Sequence, residues 1–165
     1  MRFRNFAARV CAALSLGLAL VGHAQGDEFD LIISLGEVEG PQQTMRVAPG
    51  SYHRIDTYLT NLGPDPAPGR ISVTGDQSEC PYLVGWYLSE DEYISADEDL
   101  QIAGYCPNGL QPGQTLRFWA DIYIPVNIVG GFYFWGAIAD YNDSVAEIDD
   151  TNNVALGNQT VVRGR

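Results

Sequence analysis

Most of the chain after residue 28 consists of short runs in which apolar and polar residues alternate, and clusters of Gly, Pro, Asn and Asp separate these runs. A period of two sends successive side chains to opposite faces of a β-strand. Between residues 52 and 61, for example, Ile55 and Leu59 fall on one face, and Arg54 and Tyr58 fall on the other. We therefore predict long strands over 29–35, 52–61, 82–89, 115–124, 131–140 and 153–162, and weaker ones over 70–74 and 100–103.

These runs predict an all-β protein, because none of them has the 3.6-residue period of a helix. Short alternating strands with turn residues between them are typical of an antiparallel β-sandwich. Trp86 falls on the third long strand, where immunoglobulin domains bury a tryptophan. We predict an immunoglobulin-like antiparallel β-sandwich of about seven strands.

The first 24 residues have the three parts of an export signal. Three arginines precede an apolar stretch over residues 10–21, and Gly22-His23-Ala24 is a small-x-small cleavage site. The apolar stretch is shorter than the roughly 20 residues of a membrane span. We expect a signal peptide over 1–24, a single domain over 25–165, and a secreted or periplasmic protein without a membrane span.

Two cysteines remain in the expected mature chain, Cys80 and Cys106. In an oxidising compartment such a pair is expected to form a disulfide bond. The bond would close a loop of roughly 26 residues, and the loop-closure entropy of such a loop corresponds to about 3 to 4 kcal/mol. Because no CxxC spacing makes the pair redox-active, we expect a structural disulfide.

The sequence is strongly acidic, with a net charge of −12. Removal of the predicted signal peptide takes away three arginines and no acid, which leaves six basic against 21 acidic residues and a charge of −15. Such a surface repels phosphate backbones and anionic lipids, so we expect neither nucleic acid nor a membrane surface as a partner. All the basic residues are arginines, as is typical of a bacterial genome rich in G and C.

The sequence lacks the motifs of common catalytic centres. A nucleophilic enzyme needs a serine or cysteine beside a base, and the expected mature chain has His53 as its one histidine and no GxSxG turn. HExxH, P-loop and GxGxxG motifs are absent, and one histidine with two disulfide-bonded cysteines cannot form an ordinary zinc site. We expect no enzymatic activity and no catalytic residues.

The stretch ADYNDSVAEIDDTNN, residues 139–153, concentrates carboxylates and amides after an apolar run. It does not fit the EF-hand template, because Val145 stands where that loop needs glycine. A looser calcium site would draw on Asp140, Asn142, Asp143, Glu147, Asp149 and Asp150. The alternative is that Asn and Asp side chains bond to their own backbone in Asx-turns and shape the connection between two strands. The same two alternatives, a calcium site or a set of turns, apply to the acidic residues over 90–99.

Two predicted strands place aromatic and charged side chains on a solvent face. These side chains are Tyr52, Tyr58, Arg117, Trp119 and Tyr123, on strands that are neighbours in an immunoglobulin topology. Tyr, Trp and Arg dominate binding hot spots, and aromatic rings stack on sugars, so the set predicts a partner-binding face. The alternative is that they make only cross-strand pairs of up to about 1 kcal/mol each. A second candidate face carries Tyr87, Tyr133 and Trp135.

Several motifs follow one another in an order that resembles a known family. They are Thr60-Asn61-Leu62-Gly63, Trp86-Tyr87-Leu88-Ser89, Leu110-Gln111-Pro112-Gly113, Gly131-Phe132-Tyr133, Asp140, Asn142, Val145, Glu147, Asp149 and Asn152-Asn153. From about Phe29 to Val162 the sequence resembles the CARDB family, the cell adhesion related domain found in bacteria. The two cysteines are not part of the family pattern, and such domains usually occur in tandem or attached to larger secreted proteins.

The resemblance implies a non-catalytic extracellular module of adhesive or interaction type with an immunoglobulin-like fold. It provides no catalytic residues to carry over. We expect the partner to be a protein or a glycan at a cell surface. A carbohydrate-binding module and a calcium-stabilised structural domain are the alternatives.

Overall fold

The computed structural model describes residues 28–36, 45–72 and 78–163. The predicted signal peptide and its boundary at residue 24 lie outside these ranges. The described residues form ten strands and one 3₁₀ helix: β1 (Leu31–Leu35), β2 (Met45–Val47), β3 (Tyr52–Asn61), β4 (Ile71–Ser72), β5 (Ser78–Glu79), β6 (Val84–Ser89), β7 (Leu100–Tyr105), β8 (Thr115–Tyr123), β9 (Gly131–Ile138), the 3₁₀ helix η1 (Asp150–Asn152) and β10 (Val154–Val162). In these ranges no helix is long and apolar enough to cross a membrane.

Two sheets enclose a common apolar core. One sheet has the order β1-β3-β8 and the other has the order β2-β10-β9-β6-β7, while β4 and β5 form a separate pair. The pairs are antiparallel except β2 with β10, which is parallel. Because β3 lies beside β8, and β9 lies between β6 and β10, the arrangement is that of an immunoglobulin-like sandwich. The predicted fold is confirmed, with ten strands in the described residues instead of about seven.

The six long strands predicted from alternation are all present, and their ends differ from the prediction by at most two residues. The short strands β2 and β5 were not predicted. They have three and two residues, which is too few for an alternating pattern to be visible. Residues 73 and 74 of the weaker strand predicted over 70–74 lie outside the described residues, and Ile71 and Ser72 form β4.

Two features typical of immunoglobulin domains stand in the core. Trp86 on β6 is buried, and its indole Nε1 donates to Thr57 Oγ1 on the opposite sheet at 3.0 Å. Tyr133 on β9 donates its hydroxyl to the carbonyl of Val129, four residues upstream, at 3.0 Å, as a tyrosine corner does. The predicted position of Trp86 is therefore confirmed.

The second candidate face, with Tyr87, Tyr133 and Trp135, is not exposed, and this prediction is wrong. Tyr133 and Trp135 belong to the core between the sheets. Tyr87 points away from that core, but Ile94 covers it from the segment after β6. Gly136 makes room for this cover, because a Cβ atom there would lie 2.3 Å from Ile94 Cγ1.

The structure contains the predicted disulfide between Cys80 and Cys106, whose Cα atoms are 5.7 Å apart. Cys80 precedes β6 and Cys106 follows β7, and these two strands pair with each other. The disulfide therefore closes the base of the β6–β7 hairpin and does not join the two sheets.

Candidate functional site

The outer face of β3 and β8 carries four successive cross-strand pairs. Tyr52 lies opposite Tyr123, Arg54 opposite Asp121, Asp56 opposite Trp119, and Tyr58 opposite Arg117. We call these eight side chains the aromatic face. The inward neighbours on both strands, Ile55, Leu59, Phe118 and Ile122, are buried. The five residues predicted for a partner-binding face therefore lie together on one side of the sheet.

The charged residues of the aromatic face pair with one another. Arg54 makes two hydrogen bonds to Asp121, at 2.8 and 2.9 Å, and Arg117 makes one to Asp56 at 2.7 Å. The bond from Arg54 holds the pKa of the Asp121 carboxyl below its ordinary value. All four groups are open to water, so these pairs contribute little to folding but orient the side chains.

The aromatic rings of this face are accessible. Tyr52 is 71% exposed, Trp119 is 59% exposed and Tyr123 is 36% exposed. The rings of Tyr52 and Tyr123 lie 4.9 Å apart, and the Arg54 guanidinium lies 5.4 Å from the centre of the Trp119 ring. These distances are within the range of aromatic and cation–π contacts, so the rings are held by their neighbours while remaining open to a partner.

The connection between β9 and β10 is organised by side chains that bond to backbone. The Asp140 carboxylate accepts from the N–H groups of Ser144 and Val145 at 3.0 to 3.1 Å. Asp149 caps η1 by accepting from the N–H of Thr151 at 2.9 Å. Asp140 and Asp143 adopt positive φ angles of 45° and 48°, which Asp tolerates in tight turns. The predicted Asx-type role is thus visible at both ends of the stretch.

Glu147 joins this connection to the start of β1. Its carboxylate accepts from the N–H of Leu31 at 2.5 Å and from Asn153 Nδ2 at 2.9 Å. Burial raises the pKa of Glu147 to about 7; the charges of Asp140 and Asp150 also raise it, and the two hydrogen bonds act in the opposite direction. Burial raises the pKa of Asp140 as well. These two carboxylates are therefore less stable as anions than exposed ones.

Three buried oxygens beside these carboxylates have no hydrogen-bond partner among the described residues. They belong to the hydroxyl of Tyr82 and the side-chain carbonyls of Asn152 and Asn153. Burial, together with the charges of Glu147 and Asp140, raises the pKa of the Tyr82 hydroxyl well above its usual value. We call Tyr82, Asp140, Glu147, Asn152 and Asn153 the polar end. Tyr82, Asn152 and Asn153 were not among the predicted site residues.

The predicted calcium ligands do not form one compact acidic cluster. Asn142, Asp143, Asp149 and Asp150 are exposed, whereas Asp140 is buried and Glu147 is partly buried. Within residues 28–36, 45–72 and 78–163, no three His, Cys, Asp or Glu side chains are grouped closely enough to hold a metal ion. Calcium binding by this stretch stays a prediction, and its ligands would have to include groups other than a cluster of acidic side chains.

The second acidic segment, residues 90–99, is also built from turns. Asp91 accepts from the N–H of Tyr93 at 2.8 Å, and Asp99 accepts from the N–H of Ser95 at 2.8 Å. Four of its carboxylates, on Glu90, Asp91, Glu98 and Asp99, line a groove of about 350 Å³. One buried oxygen near this segment, the hydroxyl of Tyr87 under Ile94, has no hydrogen-bond partner among the described residues, but no buried asparagine or glutamine oxygen there is left without one.

Ser51 and His53 form the only serine–histidine contact in the described ranges, with 2.7 Å between Ser51 Oγ and His53 Nε2. Ser51 Oγ also lies 2.6 Å from the carbonyl oxygen of Ala48, which can only accept. Ser51 therefore donates to Ala48, and the proton between Ser51 and His53 belongs to the imidazole. A histidine that donates to the serine is not its base, so the pair closes the turn before β3.

Comparison with known proteins shows which solved structures share this fold. No protein-family profile and no curated protein matches the sequence. Among solved structures, the immunoglobulin-like sandwich matches a crystal structure of the CARDB domain of the PF1109 protein from Pyrococcus furiosus in complex with di-metal ions. The two are 18% identical with a TM-score of 0.54, and the match covers 84% of this chain and 97% of that chain. A solution NMR structure of the same domain is 20% identical with a TM-score of 0.49, covering 82% and 96% of the two chains. The chain thus has the fold of a CARDB domain, and the resemblance indicated by its motifs is confirmed at the level of the fold.

Proposed function

We propose that this protein is a non-catalytic, secreted or periplasmic interaction module of adhesion type that binds a protein or glycan at a cell surface through the aromatic face. The observation that carries the proposal is the exposure of Tyr52, Trp119 and Tyr123 on two strands in continuous register. The CARDB-type fold and the disulfide, which is typical of oxidising compartments, support the extracellular part of the proposal.

The aromatic face is preorganised for binding. Binding costs free energy when flexible side chains become ordered, at about 0.5 to 1.5 kcal/mol for each one. Here the ion pairs and ring contacts already orient Arg54, Trp119 and Tyr123. A partner that covers these rings therefore gains apolar burial with a small ordering cost, as is typical of hot-spot residues.

The charge of this face also favours binding. Two arginines and two aspartates neutralise one another within it, although the whole chain has a net charge of −12. The aromatic face is thus a locally neutral area on an acidic molecule. A neutral glycan or an uncharged protein surface meets no repulsion here, and stacking of sugar rings on Trp and Tyr is one way in which such a face binds.

The test compares the unmodified protein with the double variant Trp119→Ala/Tyr123→Ala. Fluorescently labelled protein is applied to intact bacterial cells, to the same cells after protease treatment, and to an array of glycans. The double variant should lose retention while its circular dichroism and melting temperature stay close to those of the unmodified protein. The matched control, Tyr93→Ala/Phe132→Ala, removes two exposed rings outside the aromatic face and should bind normally.

The outcomes separate the two kinds of partner. Retention that protease treatment of the cells abolishes indicates a protein, whereas signals on the array that the double variant loses indicate a carbohydrate-binding module. Retention that the double variant keeps in full contradicts the proposal.

A further inference from the structure

The polar end lies where three separate parts of the chain meet. Ile148 N donates to Phe29 O at 3.0 Å, and Tyr141 N donates to Leu83 O at 3.3 Å. These bonds bring the start of β1, the residues before β6 and the β9–β10 connection together at one end of the sandwich. Side chains that are far apart in the sequence, including Tyr82 and Glu147, are thereby placed in a shared buried region.

The hydrogen bonds of the two asparagines define how their amides are oriented. Asn153 Nδ2 donates to Glu147 Oε1, and Asn152 Nδ2 donates to Asp30 Oδ1 at 2.8 Å, next to the residue whose N–H bonds to Glu147. With both amide nitrogens directed in this way, the two Oδ1 atoms are the groups without a partner. Asn153 is only 6% exposed, so leaving its side-chain oxygen without a hydrogen bond lowers the stability of the fold.

The polar end is rich in oxygen acceptors, and no cationic side chain in the described part of the chain forms an ion pair with it. In the described residues, both ion pairs belong to the aromatic face. Asp140, Glu147, Asn152 and Asn153 supply carboxylate and amide oxygens, and the Tyr82 hydroxyl is buried without a partner among the described residues. The two asparagine oxygens are buried acceptors without a donor, and a hard cation can satisfy them together with the carboxylates of the same region.

We propose that the polar end binds a calcium ion through the carboxylates of Asp140 and Glu147 and the amide oxygens of Asn152 and Asn153. Calcium accepts irregular sets of carboxylate and carbonyl oxygens, whereas magnesium demands near-ideal octahedral geometry and keeps several waters. The ion ties β1 to the β9–β10 connection. This proposal is independent of binding at the aromatic face, because it concerns a different end of the molecule and a different ligand.

The first experiment measures the melting temperature of the purified protein in calcium, in magnesium and in EDTA. A ligand present at a hundredfold excess over its dissociation constant raises the melting temperature of a domain of this size by about 8 °C. We expect a rise of this order in calcium and a smaller one in magnesium. Glu147→Gln should abolish the rise in calcium, and the matched control Glu92→Gln, in the second acidic segment, should keep it.

A second variant distinguishes the polar end from the exposed part of the same connection. Asp143 is exposed and takes no part in the polar end, so Asp143→Asn should leave the calcium response unchanged. Loss of the response in Asp143→Asn, or its retention in Glu147→Gln, overturns the proposed ligand set. No rise in the unmodified protein overturns calcium binding and leaves these oxygens to internal water.

A direct binding measurement does not depend on how well a variant folds. Terbium occupies calcium sites, and its luminescence is excited through a tyrosine that lies close to it. The unmodified protein should show terbium luminescence that calcium displaces, and Tyr82→Phe should reduce the emission while the calcium-induced melting shift persists. Absence of displaceable luminescence in the unmodified protein contradicts the proposal.

Discussion

The aromatic face and the polar end both contain carboxylates, but the two regions shift the pKa of these groups in opposite directions. On the aromatic face, Asp121 accepts two hydrogen bonds from Arg54 and stays in contact with water, so its pKa is lowered. At the polar end, Glu147 is partly buried close to Asp140, and its pKa is raised to about 7. The same chemical group is thus favoured as an anion in one region and disfavoured in the other.

Topology accounts for this difference. The aromatic face uses two neighbouring strands whose register places Arg54 directly opposite Asp121. The polar end uses segments separated by more than a hundred residues, as between Leu31 and Glu147, which meet only when both sheets have formed. Pairing of two neighbouring strands in one sheet therefore makes a surface that can bind without changing the fold, whereas the cluster that joins segments of both sheets links its ionisation and ligand binding to stability.

Truncation of one tyrosine in each region should give the largest contrast. Tyr82 is fully buried and belongs to the main core, so Tyr82→Ala should lower the free energy of unfolding by about 3 to 5 kcal/mol. Tyr52 is 71% exposed, so Tyr52→Ala should lower it by less than about 1 kcal/mol. Urea unfolding measures both values. Similar losses in the two variants would mean that the regions do not differ in packing as the structure shows.

The second contrast is the dependence of stability on pH in EDTA. The folded-state pKa of Glu147, about 7, lies above its ordinary value of 4.5, so the folded protein holds the proton more tightly. This group therefore adds stability as the pH falls from about 8 towards 5, and the added stability is lost as the pH rises through 7. The raised pKa of Asp140 acts in the same direction. We expect the melting temperature to rise by a few degrees between pH 8 and pH 5.

Two variants assign this pH dependence to one region. The groups around Glu147 are Asp140, Asp150, Tyr82, Asn153 and the N–H of Leu31, and none of them is a cation. Glu147→Gln should remove most of the rise, whereas Asp121→Asn, on the aromatic face, should keep it. A melting temperature that falls between pH 8 and pH 5 in the unmodified protein contradicts this account of Glu147.

Sequence patterns predicted most of the fold because alternation is a local signal. The inward and outward residues of β3 and β8 were assigned correctly, since each strand has one apolar and one polar face. On β9 the prediction placed Tyr133 and Trp135 outward, because both of its faces are apolar and alternation cannot then choose between them. The outer face of this sheet can be apolar because Ile94 packs over Tyr87 and Gly136 and shields them from water.

The polar end was predicted only in part for a related reason. Clustering of acids in the sequence pointed to Asp140 and Glu147, but equally to Asn142, Asp143 and Asp149, which are exposed. What distinguishes Glu147 is its bond to a backbone group 116 residues away, and no local pattern encodes such a contact. Tyr82 is buried in the core, and its position near Glu147 and Asp140 depends on the same long-range packing.

Removal of a hydroxyl group tests whether the Tyr82 oxygen is unpartnered. Because Tyr82 Oη is buried without a partner, Tyr82→Phe in EDTA should leave the free energy of unfolding unchanged or raise it by up to about 1 kcal/mol. The matched control is Tyr133→Phe, which removes a bonded hydroxyl and should cost about 1 kcal/mol. Urea unfolding of both variants gives the comparison. A clear loss in Tyr82→Phe would show that its hydroxyl has a partner in solution.

The smallest effect is expected from breaking an ion pair of the aromatic face. Arg54 and Asp121 are both exposed, so water and salt weaken their attraction, and Arg54→Met should leave the melting temperature unchanged within error. Partner binding should nevertheless weaken, because Arg54 also lies over the Trp119 ring and helps to orient it. Thermal melts at low and high salt, together with cell retention, measure the two effects separately. A large fall in melting temperature would contradict this expectation. It would mean that the ion pair of the aromatic face contributes to stability as the polar end does, and that its side chains do not act in binding alone.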